Sequence, residues 1–347
     1  MLDCSGPRGS LGPPARDKRP SWKKAKPPIF TPETTAADAL AEIVLSGINH
    51  LRGNEACVLA RCHTEGVHQM RVATRRLRSC LTIYQHLLPP DEHRHLVGEL
   101  KWLIGELGPA RDWDVFLEEV LVPVMDGMPG ERSLARLRLE AEAVRDDAYG
   151  HAQAAIQSQR YFGLVLLLSA WARGHRWHEH ASSDGPPQLL GPAIAFASEV
   201  IAERHREVLA AGEDFPTLNA EQRHAVRIQI KKLRYALEFF SSLYSRRKYA
   251  TYLAGLKKLQ DALGTSNDVE VARTLLARVA KTLRGKERAR FTYAAGLVVG
   301  WHSHVAGDRE RDVTRLWEDY CRGEPFWSAG APPSDSASGP AEGAIRG

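Results

Sequence analysis

No stretch of this 347-residue chain is apolar for long enough to cross a bilayer. The longest such run lies around Phe162–Ala172, well short of the roughly 20 residues a membrane helix needs. The N-terminus also lacks the hydrophobic segment of a secretory signal. Cysteine is scarce and scattered: Cys4, Cys57, Cys62, Cys80 and Cys321 form no C-x-x-C pair. They read as reduced thiols of a cytoplasmic protein, not as a disulfide framework. No segment of six or more residues alternates apolar and polar side chains as a half-buried strand does. There is no G-x-x-x-x-G-K-[ST] phosphate loop, no nucleophile elbow and no H-E-x-x-H. The usual marks of a nucleotide hydrolase, an α/β-hydrolase and a zinc protease are therefore missing.

The folded part also has no excess of charge. The formal net charge of +5 arises entirely within residues 1–28, where Arg8, Arg16, Lys18, Arg19, Lys23, Lys24 and Lys26 outnumber Asp3 and Asp17. Affinity for an anion must therefore rest on how charges are segregated, not on their sum.

What is present is helix-forming sequence rich in Ala, Leu, Arg and Glu, and the fold class expected is all-α. Residues 1–28 and 328–347, rich in Pro, Gly and small or basic residues, are expected to be a disordered arm and tail. The folded part opens at Thr31-Pro32-Glu33, an N-cap followed by Pro at the first helical position. Turn signals at Pro89-Pro90, Gly108-Pro109, Gly127 to Gly130, Gly185 to Pro187, Gly212 and Gly264 divide it into an expected ten to twelve helices.

The chain repeats itself. His68-Gln69-Met70-Arg71-Val72-Ala73-Thr74-Arg75-Arg76-Leu77-Arg78 matches His224-Ala225-Val226-Arg227-Ile228-Gln229-Ile230-Lys231-Lys232-Leu233-Arg234, 156 residues on. Leu100-Lys101, Leu103, Leu107-Gly108 and Asp112 match Leu256-Lys257, Leu259, Leu263-Gly264 and Asp268 at the same offset. The expectation is an internal duplication: two pseudo-symmetric helical bundles over residues 29–185 and 186–327.

Wound as a helix at 100° per residue, residues 67–88 place Val67, Met70, Thr74, Leu77, Leu81, Tyr84 and Leu88 on one core face. His68, Arg71, Arg75 and Arg78 fall beside it, and Arg76 points away. In the second copy Val226, Ile230, Leu233, Leu237 and Phe240 are core, flanked by His224, Arg227, Lys231 and Arg234. Ordinary exposed faces mix Glu with Lys. Yet no Asp or Glu lies between Val67 and Leu88, or between Gln222 and Leu237. A stripe of like charges is unfavourable unless an anion offsets it, and this one occurs twice. Arginine forks suit phosphate oxygens. A row of cations at about 5 Å per helical turn can track linked phosphates. Each His opens its stripe and is expected to titrate near neutral pH.

These two H-x-x-R-x-x-x-[RK]-[RK]-L-R segments, each followed by L-x-x-L-x-x-x-L-G-x-x-[RN]-D, resemble the CHAD family, the conserved-histidine alpha-helical domain, over most of residues 30–325. The resemblance implies two helical bundles around a basic cleft that binds inorganic polyphosphate. The positions it carries over are His68, Arg71, Arg75, Arg76, Arg78 and Lys101, then His224, Arg227, Lys231, Lys232, Arg234 and Lys257. Trp102 departs from the pattern, standing where the second copy has Lys258. Many members carry a CYTH triphosphatase domain with E-x-E-x-K. Here Glu140-Ala141-Glu142-Ala143-Val144 lacks the Lys, so a stand-alone module, a type associated with polyphosphate granules, is expected.

Other features read as structural. Asp112 and Asp268 follow Leu-Gly turns and are expected at helix N-termini in preference to orienting an arginine of the stripe. His175, His178 and His180, like His302 and His304, read as surface histidines, and no metal or cofactor is expected. Trp171 and Trp301 read as core anchors. Only Tyr84 and Tyr235 edge the stripes, whereas single-strand binders interleave aromatics with cations. Nucleic acid is therefore the alternative ligand, bound weakly at low salt through the arm and cleft. Stripes without acids offer nothing to hold Mg²⁺ beside a phosphate, so binding without catalysis is expected.

Overall fold

The computed structural model describes residues 20–175, 187–308 and 310–327. The first half comprises α1 (Ala36–Arg52), α2 (Glu55–Leu59), α3 (Glu65–Ile83), α4 (Pro90–Val115), α5 (Val122–Gly127), α6 (Arg132–Ile156) and α7 (Gln159–Arg173). The second comprises α8 (Pro187–Leu190), α9 (Ala193–Ala211), α10 (Ala220–Phe239), α11 (Arg246–Ala262), α12 (Gly264–Thr282), α13 (Gly285–Asp308) and α14 (Glu310–Cys321). Among the described residues there is no strand, only an isolated bridge between Thr35 and Pro192. No helix is long and apolar enough to cross a membrane.

Each stripe helix is sandwiched in the same way. α3 packs between α1 and α4, and α10 between α9 and α11. α3 and α10 then pack on each other, as do α1 and α9, and α6 and α13. The residues expected on the core face are buried: Val67, Met70, Thr74, Leu77 and Leu81 on α3, and Val226, Ile230, Leu233 and Leu237 on α10. The helix expected over 67–88 stops at Ile83 and gives way to a 3-10 turn at Gln85–Leu87, so Tyr84 and Leu88 are buried beyond its end, as is Phe240 just past α10. Trp171 is buried, and Trp301 packs over Gly127. Asn219 and Gln222 start α10 with a reciprocal capping box, which satisfies two otherwise orphaned N–H groups.

Several expectations are corrected. Residues 31–34 form a turn, and the first helix is capped by Thr35, whose hydroxyl accepts from the Asp38 amide at 3.1 Å. Residues 20–28 are not a loose arm. Lys23 N–H donates to Asn54 Oδ1 at 2.8 Å, Asn54 Nδ2 returns a bond to the Lys23 carbonyl, and Ser46 Oγ donates to the Lys26 carbonyl. Gly108-Pro109 is no turn but lies inside α4. Gly264, at the same place in the second copy, does stand at a helix break. Cys57 and Cys62 are joined by a disulfide. Arg61 takes φ +48° between them, which bends the chain back so that Cys62 N–H reaches the Cys57 carbonyl. Cys80 is a buried free thiol and Cys321 an exposed one. The expected junction near residue 185, with His178 and His180, falls outside the described residues. No group of three or more potential metal ligands occurs among those described.

Candidate functional site

The α3 and α10 stripes meet across two adjoining cavities of about 290 and 220 Å³. Arg75, Arg78, His224, Lys231 and Lys232 line the larger, with Ile83, Ile228 and Tyr235 as its apolar wall. His68, Arg71, Arg75, Arg227 and Lys231 line the smaller. Arg75 and Lys231 occupy matching places in the two copies, 156 residues apart, and they alone among the stripe residues border both spaces.

The innermost cations are held by a contact made twice. Arg71 is buried, and its guanidinium lies where Gly108 has no side chain; a Cβ there would stand 2.7 Å from Nη1. Arg227 lies against Gly264 in the same way, 3.3 Å from the position of a Cβ. The Leu-Gly pair is thus a bay for an arginine. In the first copy α4 runs through this pair unbroken, although Pro109 removes one backbone donor; in the second copy the same bay stands at the α11–α12 junction. Arg71 also donates to the Ile104 carbonyl at 3.4 Å and sits 3.5 Å from Asp112 Oδ1. Asp112 is therefore inside α4 and orients Arg71, the reverse of the helix-terminus role expected of it. The side chain of Asp268 lies outside the described residues.

Electrostatics report crowding. Burial and Arg75 push Arg71 down to about 10 against the opposing pull of Asp112, with Arg111 lowering it further. Burial, then Arg111, holds His68 below the ordinary imidazole value, partly offset by Glu65 at 3.8 Å. Relative to a free imidazole, His68 is therefore shifted toward its neutral form, and a counter-charge would oppose that shift.

Four expected site residues lie elsewhere. Arg76 is buried in an ion pair with Glu238 of α10 and lies over the Phe239 ring. Arg234 pairs with the same carboxylate at 3.3 Å. Glu238 is the first acid beyond the acid-free stretch of the second copy, so its stripe is neutralised at that end. Lys101 and Lys257 are exposed and line neither cavity. Each follows a core leucine, Leu100 or Leu256, and one residue of helix turns it 100° from the buried face. Conversely, Arg111, Asp112 and Glu119 line the smaller cavity and Arg204 the larger. Arg111 was legible, since it fills the [RN] position of the L-G-x-x-[RN]-D motif. Arg204 carries no sequence signal. Both carboxylates are engaged, Asp112 by Arg71 and Glu119 by Arg111 at 3.1 Å. Arg204 is held by Glu207 at 2.7 Å.

Residues 42–277 match the CHAD domain. The fold is similar to the crystal structure of the CHAD domain from the plant Ricinus communis, with a TM-score of 0.73 and 28% identity, covering 86% of this chain and 96% of that one. It is also similar to PptA from Streptomyces chartreusis, with a TM-score of 0.59 and 18% identity, over 82% of this chain and all of the other; that likeness is one of fold. Uncharacterized proteins from two Mycobacterium tuberculosis strains are each 29% identical over 233 residues, 66% of this chain. The chain spans 43% of the length of those curated relatives. The match covers well over half of the residues and both stripes, and the chain belongs to the CHAD domain family.

Proposed function

We propose that this chain binds inorganic polyphosphate in the paired cavities between α3 and α10 and does not turn it over. One observation carries the reading: cations from two helices 156 residues apart face shared spaces, with Arg75 and Lys231 at their junction. A continuous polyanion can pass from one cavity to the other there. The lining arginines supply bidentate donors and the lysines mobile point charges. Binding without hydrolysis fits the two nearby carboxylates, since Asp112 and Glu119 are each occupied by an arginine and not held open for a metal. Association with polyphosphate granules in the cytoplasm is the cellular setting this reading implies. A tagged copy should disperse when cellular polyphosphate is depleted.

The direct test is competition of long-chain polyphosphate against single-stranded RNA at about 0.15 M salt, where screening suppresses non-specific contacts. Polyphosphate should win by at least about tenfold, with a steep inverse dependence on salt. Equal competition would favour nucleic acid. Deleting residues 1–19 should leave polyphosphate affinity intact, because the cavity cations all lie beyond them.

The depressed His68 sets the sign of the pH dependence. A bound polyanion favours the imidazolium, so binding takes up a proton and tightens as pH falls through the lowered value. A charge-assisted contact of this type contributes about tenfold. His68→Gln should flatten the profile below pH 7; an unchanged profile in that variant would remove His68 from the site.

A further inference from the structure

The two halves differ most sharply where α4 meets α7 and α11 meets α14. In the first half the seam is filled. Arg160 of α7 lies 4.3 Å over the Trp102 ring and is held by both oxygens of Glu99, at 2.8 and 2.9 Å. Trp171 Nε1 donates to Glu92 at 2.9 Å. At the offset of 156, Asp91, Glu92, Glu99 and Trp102 become Arg247, Lys248, Gly255 and Lys258. Three acids and the aromatic plug are replaced by three bases and a residue with no side chain. In place of the plug, a cavity of about 670 Å³ opens between α11, α14 and residues 323–326.

Arg247, Lys248 and Lys258 line this space, and none of them is in an ion pair among the described residues. A Cβ on Gly255 would meet nothing within 4 Å, so the floor is open. Its aromatic lining is Tyr252 on the same helix, the buried Tyr320 of α14 and the buried Phe326. The tyrosine hydroxyls are tied to each other at 3.2 Å and to His205 Nδ1 at 2.9 and 2.8 Å, which fixes their rings. Two carboxylates are also present. Asp319 is held by Arg322 at 3.1 Å, and Glu324 lines the cavity beside Gly323 and Pro325.

We propose that this cavity is a second, separate ligand site for a small phosphorylated molecule bearing a flat ring, of the nucleotide class. The volume is that of a small-molecule pocket. Three unpaired cations suit phosphate oxygens, and fixed aromatic side chains suit a base. Lys258, which stands where the first copy has the departing Trp102, belongs to this site and not to the groove between the stripes.

The test uses the full chain carrying Arg75→Glu and Lys231→Glu, so that the groove is silenced, and titrates ATP, adenosine and inorganic tripolyphosphate by calorimetry at about 0.15 M salt. ATP should bind one to one, tripolyphosphate at least about tenfold more weakly for want of the ring, and adenosine not measurably. Lys248→Glu with Lys258→Glu should abolish ATP binding. So should Gly255→Glu with Lys258→Trp, which restores the first-half residues. All three positions are exposed, so circular dichroism should be unchanged. Loss of ATP binding in the groove variant, its survival in both cavity variants, or tripolyphosphate binding as tightly as ATP would each overturn the proposal.

Discussion

Reversing Arg75 and Lys231 together to Glu is expected to weaken polyphosphate binding by at least about 100-fold at physiological salt while leaving helicity and melting temperature nearly unchanged. Both side chains are half-buried at the junction of the two cavities. On the proposed function each would supply a charged hydrogen bond of about 1.5–3 kcal/mol, so loss of two should give at least about two decades in affinity. Reversal adds repulsion, and the salt dependence should become shallower by about two ionic contacts. The matching control is Lys101→Glu with Lys257→Glu. That pair removes the same charge from the same repeats but from surfaces outside the cavities, and affinity should change by less than about threefold. If both double variants lose binding equally, general attraction to a basic surface is at work and the groove is not the site. Arg71 and Arg227 are the less useful targets. Arg71 is packed into its glycine bay, and a carboxylate buried there would report on folding before it reported on ligand.

How much of this could be read beforehand follows from what helix periodicity encodes. A 100° step separates the core face from its flank, and every core position assigned that way is buried, although Tyr84, Leu88 and Phe240 lie past the ends of the two stripe helices. The same step places a side chain on a face but says nothing of what stands opposite. Arg75, Arg78 and Lys231 line the cavities, whereas Arg76 and Arg234 met Glu238, an acid supplied from one turn beyond the pattern. Lys101 and Lys257 entered through the repeat alone, and repeated residues need not share a duty. Gly108-Pro109 misled because a glycine required by a neighbouring guanidinium looks, in sequence, like a glycine required by a turn. The Cys57–Cys62 disulfide was missed because its spacing matches no metal or redox motif; its closure depends on the left-handed backbone at Arg61.

The larger stability effect is expected from Glu238→Ala. Glu238 joins the two halves, accepting from Arg76 of α3 and from Arg234 of its own helix. Arg76 is buried over Phe239, so truncating the acid strands a guanidinium away from water. Breaking a fully buried pair costs 3–5 kcal/mol. Glu238 keeps 19% of its side chain exposed, which allows partial solvent relief and lowers the expected loss to about 2–3 kcal/mol. For a chain of this size that is a fall in melting temperature of about 5 °C. Polyphosphate affinity, measured well below that transition, should move by less than about twofold, because neither partner lines a cavity. Replacing both partners with apolar residues, Arg76→Met with Glu238→Leu, should recover much of the lost stability, since the pair's desolvation is removed along with its attraction; Arg234, at 21% exposure, can turn to water. If Glu238→Ala instead left the melting temperature unchanged and altered affinity by tenfold or more, Arg76 would be a ligand contact reached through a rearranged α3–α10 interface, and the division between clamp and groove drawn from the geometry would be wrong.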